Sequence, residues 1–235
     1  MDPIIDRLKQ ANGGKILDVA TSHGDFLRLL VNAFGQYSEA IGVDMAPDRI
    51  EKAREKSDAG FRFEVMSAEQ LEFPDDHFDT VAIRHSLHHL ENVGAVLAEM
   101  KRVLKPGGLF IVCEVFQSPE TLRENSQRHI HHWWAAVDRA LGVPHFETFT
   151  RAEILALVDP LKLKEKDIFE HLDDFDQADS HEIVKQLITI SSDCIERLTA
   201  NNGPQKLIDK GNELIERFSR LGFTDEKVVY VLGCK

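Results

Sequence analysis

The chain has 235 residues, 43% hydrophobic and 29% charged, which suits one folded unit with a buried core and needs no disulfide or metal to hold it. Against 28 Lys and Arg stand 40 Asp and Glu, a net charge of −12, so the overall field opposes a nucleic-acid partner. The three cysteines, Cys113, Cys194 and Cys234, are widely spaced, without a CxxC pair, and predict neither a disulfide framework nor a zinc site. No apolar stretch approaches the roughly 18 residues of a membrane span, and the start Met1-Asp2-Pro3 lacks the basic and apolar regions expected of a signal peptide. The expected setting is the cytoplasm.

In chain order, Ile4 to Gln10 reads as a short helix and Lys15 to Ala20 as a buried strand, followed by the small-residue turn Thr21-Ser22-His23-Gly24. Asp25 to Phe34 continues as a helix with Phe26, Leu29, Leu30 and Ala33 on one face. Ala40 to Asp44 is a second strand, ending on an acid, and Pro47 marks the start of a helix over Asp48 to Lys56. Phe61 to Met66 and Phe78 to Ile83 are strands, Val93 to Val103 a helix, and Lys105-Pro106-Gly107-Gly108 a sharp turn into the strand Leu109 to Val115. This alternation predicts an α/β fold: a Rossmann-like, doubly wound, mostly parallel sheet.

The second half is organised differently. Thr121 to Leu141 is helical but carries His129, His131, His132, Trp133 and Trp134. Thr150 caps a helix to Val158, with Glu153 completing a capping box, and Leu161 to Phe169 alternates as a sixth strand. The acidic stretch Asp173 to Asp179 reads as a solvated connector, with cation binding the weaker alternative. Helices over Glu182 to Ala200 and Gln205 to Leu221 flank the breaker Asn201-Asn202-Gly203-Pro204. Val228 to Cys234 closes a seven-stranded sheet as an antiparallel last strand. A single domain over residues 1–235 is expected, with helical insertions at about 118–149 and 180–222 forming a lid.

Ligands of open parallel sheets bind beyond the carboxyl ends of the strands. There the sequence places Asp18 and the turn Ala20 to Gly24, whose small residues let the backbone approach a ligand, and Asp44, an acid placed to take a ribose diol. The turn has one glycine and no GxGxxG, and Asp18 would repel a pyrophosphate. No GxxxxGK[ST] is present. The pattern suits an adenosine joined to a cationic amine and sulfonium.

Asp18 to Gly24, Asp44, Met66-Ser67-Ala68-Glu69 with Phe73 to Asp79, Leu87-His88-His89 and Arg102 to Gly108 resemble, in order and spacing, the class I S-adenosylmethionine-dependent methyltransferases. The similarity is to their small-molecule branch, which includes the ubiquinone and menaquinone methyltransferases. It implies a transferase of type EC 2.1.1 with S-adenosylmethionine as cofactor and a small-molecule acceptor. Asp18, Ala20, Ser22 and Gly24 would meet the methionine end, Asp44 the ribose, Met45 an adenine face, and Ser67, Ala68 and Glu69 the adenine edge. Ala20 and Ser22 stand where the family has glycines, and Ser67 where an Asp often accepts the adenine amine, with Glu69 as its substitute.

His85, just past the fourth strand, is expected to line the pocket near the transferred methyl group, and a histidine there suits a base at neutral pH. His88 and His89 read first as scaffold. His89, Glu114, His132 and Trp133 are the candidates for the acceptor wall, with packing or a sheet-end hydrogen bond as the alternative role. The spacing of His129, His131 and His132 brings at most two imidazoles to one helical face, so no metal is expected. No residue is assigned as catalytic. The competing functions are a non-catalytic or altered-donor binding protein and an RNA or protein methyltransferase. Oligomeric state has no signature in the sequence.

Overall fold

The structure is a computed structural model that describes residues 2–57, 60–117, 122–173, 180–221 and 226–235. The chain runs α1 (Pro3–Leu8), β1 (Lys15–Val19), α2 (Asp25–Ala33), β2 (Glu39–Asp44), α3 (Pro47–Glu55), β3 (Phe61–Val65), β4 (Phe78–Arg84), α4 (Val93–Val103) and β5 (Leu104–Val115). It continues with α5 (Leu122–Ala140), α6 (Arg151–Val158), β6 (Lys164–Asp173), α7 (Ser180–Ala200), α8 (Gln205–Leu221) and β7 (Glu226–Cys234). Short 3₁₀ turns lie at Leu87–His89 and Asp159–Leu161.

The seven strands form one sheet in the order β3-β2-β1-β4-β5-β7-β6. Strands β1 to β5 pair in parallel, and β7 runs antiparallel between β5 and β6. This is the Rossmann-like, doubly wound arrangement with an antiparallel last strand that the alternation of elements predicts. The order reverses between β1 and β4, so a crevice opens beyond their carboxyl ends.

Alternation along each strand divides the core in two. Leu17, Val19, Val81, Ile83, Phe110 and Val112 face α4 and α6, whose Val96, Leu97, Met100, Ile154 and Val158 cover them. Ile16, Ala82, Ile111 and Tyr230 face the other way, against Ile4 and Leu8 of α1, Leu27 and Leu30 of α2, and Ile50 of α3. Each fully buried aliphatic side chain contributes roughly 1.5–3 kcal/mol by leaving water. A third cluster, apart from the sheet, joins Ile130, Trp133 and Val137 of α5 to Cys194 and Leu198 of α7 and Leu214 of α8. Gly211 lets α8 approach there, because a Cβ would collide with the Trp133 ring.

Local signals act as expected at several ends. Thr150 and Glu153 form the reciprocal capping box of α6, and Asn92 caps α4 by accepting from the Ala95 N–H at 3.1 Å. Two boundaries differ. Strand β5 already begins at Leu104, which pairs with Phe78, and residues 105–108 make an excursion before Leu109 rejoins at Thr80. The sixth strand starts at Lys164 because Pro160 lies in a 3₁₀ turn and Lys162 has φ 50°. Of the acidic connector, Asp173 ends β6, and residues 174–179 lie outside the described residues. No described helix is long and apolar enough to cross a membrane.

Candidate functional site

A cavity of about 770 Å³ lies beyond the carboxyl ends of β1, β2, β3 and β4. Its floor is the turn after β1. Ala20 and Ser22 adopt φ 56° and 50°, and Gly24, at φ 79°, precedes the first residue of α2. Side chains rarely adopt such angles, at a cost of about 1–2 kcal/mol each. The strain turns the backbone into the cavity where glycines would do so freely. Gly24 itself stands behind the wall: a Cβ on it would lie 2.7 Å from the Phe63 ring.

Two acids hold this turn. Asp18 is 1% exposed, and Thr21 Oγ1 donates to its Oδ2 at 2.5 Å. Burial raises its carboxyl to about pKa 7, against the opposing Thr21 hydrogen bond and the Arg84 charge. Asp44, at the end of β2, accepts from the Ser22 N–H through Oδ2 and from the Ala46 N–H through Oδ1, both at 2.9 Å. One carboxylate thus ties the floor turn to the start of α3.

The remaining near wall comes from the ends of β3 and β4. Met45, 77% exposed, projects along the rim, and Ser67, Ala68 and Glu69 follow β3. Ser67 Oγ accepts from the Glu69 N–H at 3.3 Å, which shapes the 67–69 turn. Arg84, His85 and Ser86 leave β4 into the cavity. His85 has φ 48°, donates its backbone N–H to the Cys113 carbonyl at 2.9 Å, and brings Nε2 to 3.8 Å from Cys113 Sγ. The far wall is His89, Leu90, Glu91 and Pro144.

Of the residues singled out from sequence, Asp18, Ala20, Ser22, Asp44, Met45, Ser67, Ala68, Glu69, His85 and His89 line this one cavity. Gly24, Glu114, His132 and Trp133 do not. Glu114 is fully buried behind the wall, accepting from the N–H groups of Ser86, Leu87 and Val115 at 3.1, 2.7 and 3.0 Å and pairing with His88 Nδ1 at 2.9 Å. Burial alone would raise its pKa, but the interactions with His88 and the Leu87 N–H outweigh it and hold the carboxyl below its usual range. His132 faces Thr148, 3.2 Å from its Oγ1, and Glu147. Trp133 donates Nε1–H to the Leu207 carbonyl at 2.8 Å inside the helical cluster, so its size serves packing between helices.

Sequence reasoning passed over Arg84, Ser86, Arg49 and Pro144. The strand-end rule flags Arg84 and Ser86 once β4 is extended by one residue. Pro144 had no local signal, because only the course of the chain after α5 brings it to the cavity.

A buried acid near a strained turn, a second acid at the neighbouring strand end and a mixed polar and apolar rim thus share one cavity, a lining chemically suited to a polar ligand with a cationic end. Residues 17–112, less than half of the chain, match a family described as a methyltransferase domain. The chain resembles the class I S-adenosylmethionine-dependent methyltransferases. A ubiquinone/menaquinone biosynthesis C-methyltransferase UbiE of Burkholderia mallei is 34% identical over 123 residues, 50% of this chain and 51% of the relative. The chain therefore matches only about half the length of these curated relatives.

Among solved structures, the YcgJ protein of Bacillus subtilis superposes with a TM-score of 0.61 at 21% identity, over 99% of this chain and 96% of its own. Phosphoethanolamine N-methyltransferase 2 of Haemonchus contortus, in complex with S-adenosyl-L-methionine, superposes with a TM-score of 0.60 at 17% identity, over 99% of this chain and 51% of its own. At such identities the likeness is one of fold, and the fold is the Rossmann-like methyltransferase fold.

Proposed function

We propose that the chain is an S-adenosylmethionine-dependent methyltransferase acting on a small molecule, a transferase of type EC 2.1.1. The observation that carries this reading is the convergence of Asp18, the left-handed turn at Ala20 and Ser22, Asp44 and the 67–69 turn on one cavity at the sheet's switch point. These residues fit the cofactor. Asp18 would face the cationic amine, Asp44 would take two ribose hydroxyls with its remaining lone pairs, and Met45 with Ser67, Ala68 and Glu69 would frame the adenine.

When bound, S-adenosylmethionine supplies a methyl group already activated by its sulfonium. The chain's share of the work is alignment and exclusion of water. Asp18 would hold the amine and Asp44 the ribose of the donor, in the same cavity that His85 and the far wall of His89, Leu90 and Pro144 line. An acceptor would bind against that wall. His85 lines the pocket there, and a base is required only for an acceptor that arrives protonated. The segments 118–149 and 180–222 are read as insertions of one domain spanning residues 1–235. The cytoplasm suits the three free thiols and the acidic surface.

Calorimetry of the full chain with S-adenosylmethionine and with S-adenosylhomocysteine tests the reading. Saturable binding of both is expected, and Asp44→Ala weakens it by about 100-fold, the loss of two charge-assisted hydrogen bonds. Circular dichroism confirms that the variant folds. No binding of either compound at high micromolar concentration overturns the reading in favour of an altered donor or a non-catalytic fold. Unchanged affinity in Asp44→Ala overturns the ribose assignment alone.

A further inference from the structure

Beside the cavity, four histidines from distant parts of the chain meet ring to ring. His88 and His89 stand on the 3₁₀ turn, His131 on α5 and His145 on the segment that follows α5. Ring centroids are 4.1 Å apart for His89 and His145, 4.3 Å for His88 and His89, 4.8 Å for His88 and His131, and 5.2 Å for His131 and His145. One ring nitrogen from each of His88, His89 and His145 lies within 4.8 Å of the other two.

Two carboxylates orient this group. His88 Nδ1 meets Glu114 Oε1 at 2.9 Å, and His145 Nδ1 meets Asp138 Oδ2 at 2.9 Å. An ionised carboxylate only accepts, so each of these rings carries a proton on Nδ1, which leaves Nε2 to offer a lone pair. The His145 Nε2 is buried with no hydrogen-bond partner among the described residues, and so is His131 Nδ1. An unsatisfied buried polar atom costs about 1–3 kcal/mol. Imidazoles whose far nitrogens rest on carboxylates are the usual arrangement of metal-ligating histidines.

We propose that His88, His89 and His145 form a binding site for a late first-row divalent ion such as Zn²⁺, with Glu114 and Asp138 setting the orientation of two of the three rings. Three nitrogen donors without a directly bound carboxylate select zinc, cobalt or nickel over magnesium or calcium. At a metal–nitrogen distance of about 2.0–2.1 Å, ligand nitrogens sit roughly 3.3 Å apart, so closure around an ion takes ring shifts of about 1 Å. The Phe146 N–H, bonded to the His88 carbonyl at 2.7 Å, already holds the His145 segment against the turn. Three protein ligands leave a fourth position open, and of the three rings His89 also lines the cavity. His129, His131 and His132 share one helix, whereas this set is assembled across separate segments.

The test uses the full chain, stripped with a chelator and titrated with Zn²⁺ against a competing chromophoric chelator, and with Co²⁺ read by its visible absorption. One ion per chain is expected, with a cobalt spectrum typical of low coordination number. His145→Ala and His89→Ala each weaken binding by about 100-fold or more, and Asp138→Asn, which keeps all three rings, by about tenfold or more. His171→Ala, on β6 and outside the cluster, leaves binding unchanged. Absence of one-to-one binding in the unaltered chain overturns the proposal, as does Zn²⁺ affinity that His145→Ala does not change. Neither result depends on S-adenosylmethionine binding.

Discussion

The two sides of the cavity are specified in different ways. The near wall is built from the ends of β1, β2, β3 and β4, and each contribution is a short contiguous motif whose place follows from the strand before it. The far wall takes its turn from residues 87–91 and Pro144 from the segment after α5, backed by Glu114 of β5 and His131 of α5. Contiguous motifs carry their geometry with them, because a strand end aims its next residues into the crevice. A wall assembled from distant segments takes its geometry from packing, which no stretch of sequence states alone.

The largest expected effect separates packing from binding. Trp133→Ala removes a ring that is 4% exposed between α5 and α8, and is expected to lower stability by about 3–5 kcal/mol in urea denaturation. The affinity of the folded variant for S-adenosylmethionine should stay within about twofold. A large loss of affinity would show that the helical cluster also shapes the near wall, and the contrast between the walls would fail.

A smaller effect tests the near wall's electrostatics. Asp18 has its folded pKa raised to about 7 by burial, so the free chain favours the protonated acid below that pH. The resulting stability is present below the ordinary carboxylate pKa and is lost as pH rises through about 7. Binding of a cationic amine has the opposite sign, since it requires the ionised form. Affinity for S-adenosylmethionine is expected to rise about tenfold from about pH 6 to about pH 8, with proton release seen by calorimetry in buffers of different ionisation heat. Asp18→Asn should flatten the profile; a persisting slope would move the titration to another group.

The smallest effect concerns strain. Ala20→Gly relieves a φ of 56° while adding freedom to the unfolded chain, and a net stabilisation of about 0.5–1 kcal/mol is expected by thermal unfolding. A destabilised variant would mean that the Ala20 methyl group contributes packing that outweighs its backbone cost.

Much of the fold was legible because hydrophobic period and turn chemistry agree over the first half of the chain. Asp18 and Asp44 stood out as acids at strand ends, and both line the cavity. Glu114 had two open roles from sequence, and its burial against three backbone N–H groups and His88 places it on the sheet-end side. Trp133 and His132 looked like a wall because aromatic and imidazole rings cluster along α5. The helix turns them toward α8 and the 147–148 segment, a rotation that only the partners of α5 determine. The meeting of His88, His89 and His145 was illegible for the same reason: residues about 55 apart become neighbours through tertiary closure.

The position of β7 has a consequence for the order of synthesis. Among the described residues, strand β6 pairs with β7 and with no other strand, and β7 fills the slot between it and β5. While the chain is being made, β6 therefore waits with both edges open until residues 226–234 emerge. The four strands whose ends make the near wall can pair among themselves long before that, so the half of the cavity that contains Asp18 and Asp44 is available to a nascent chain, while the outer sheet is completed last.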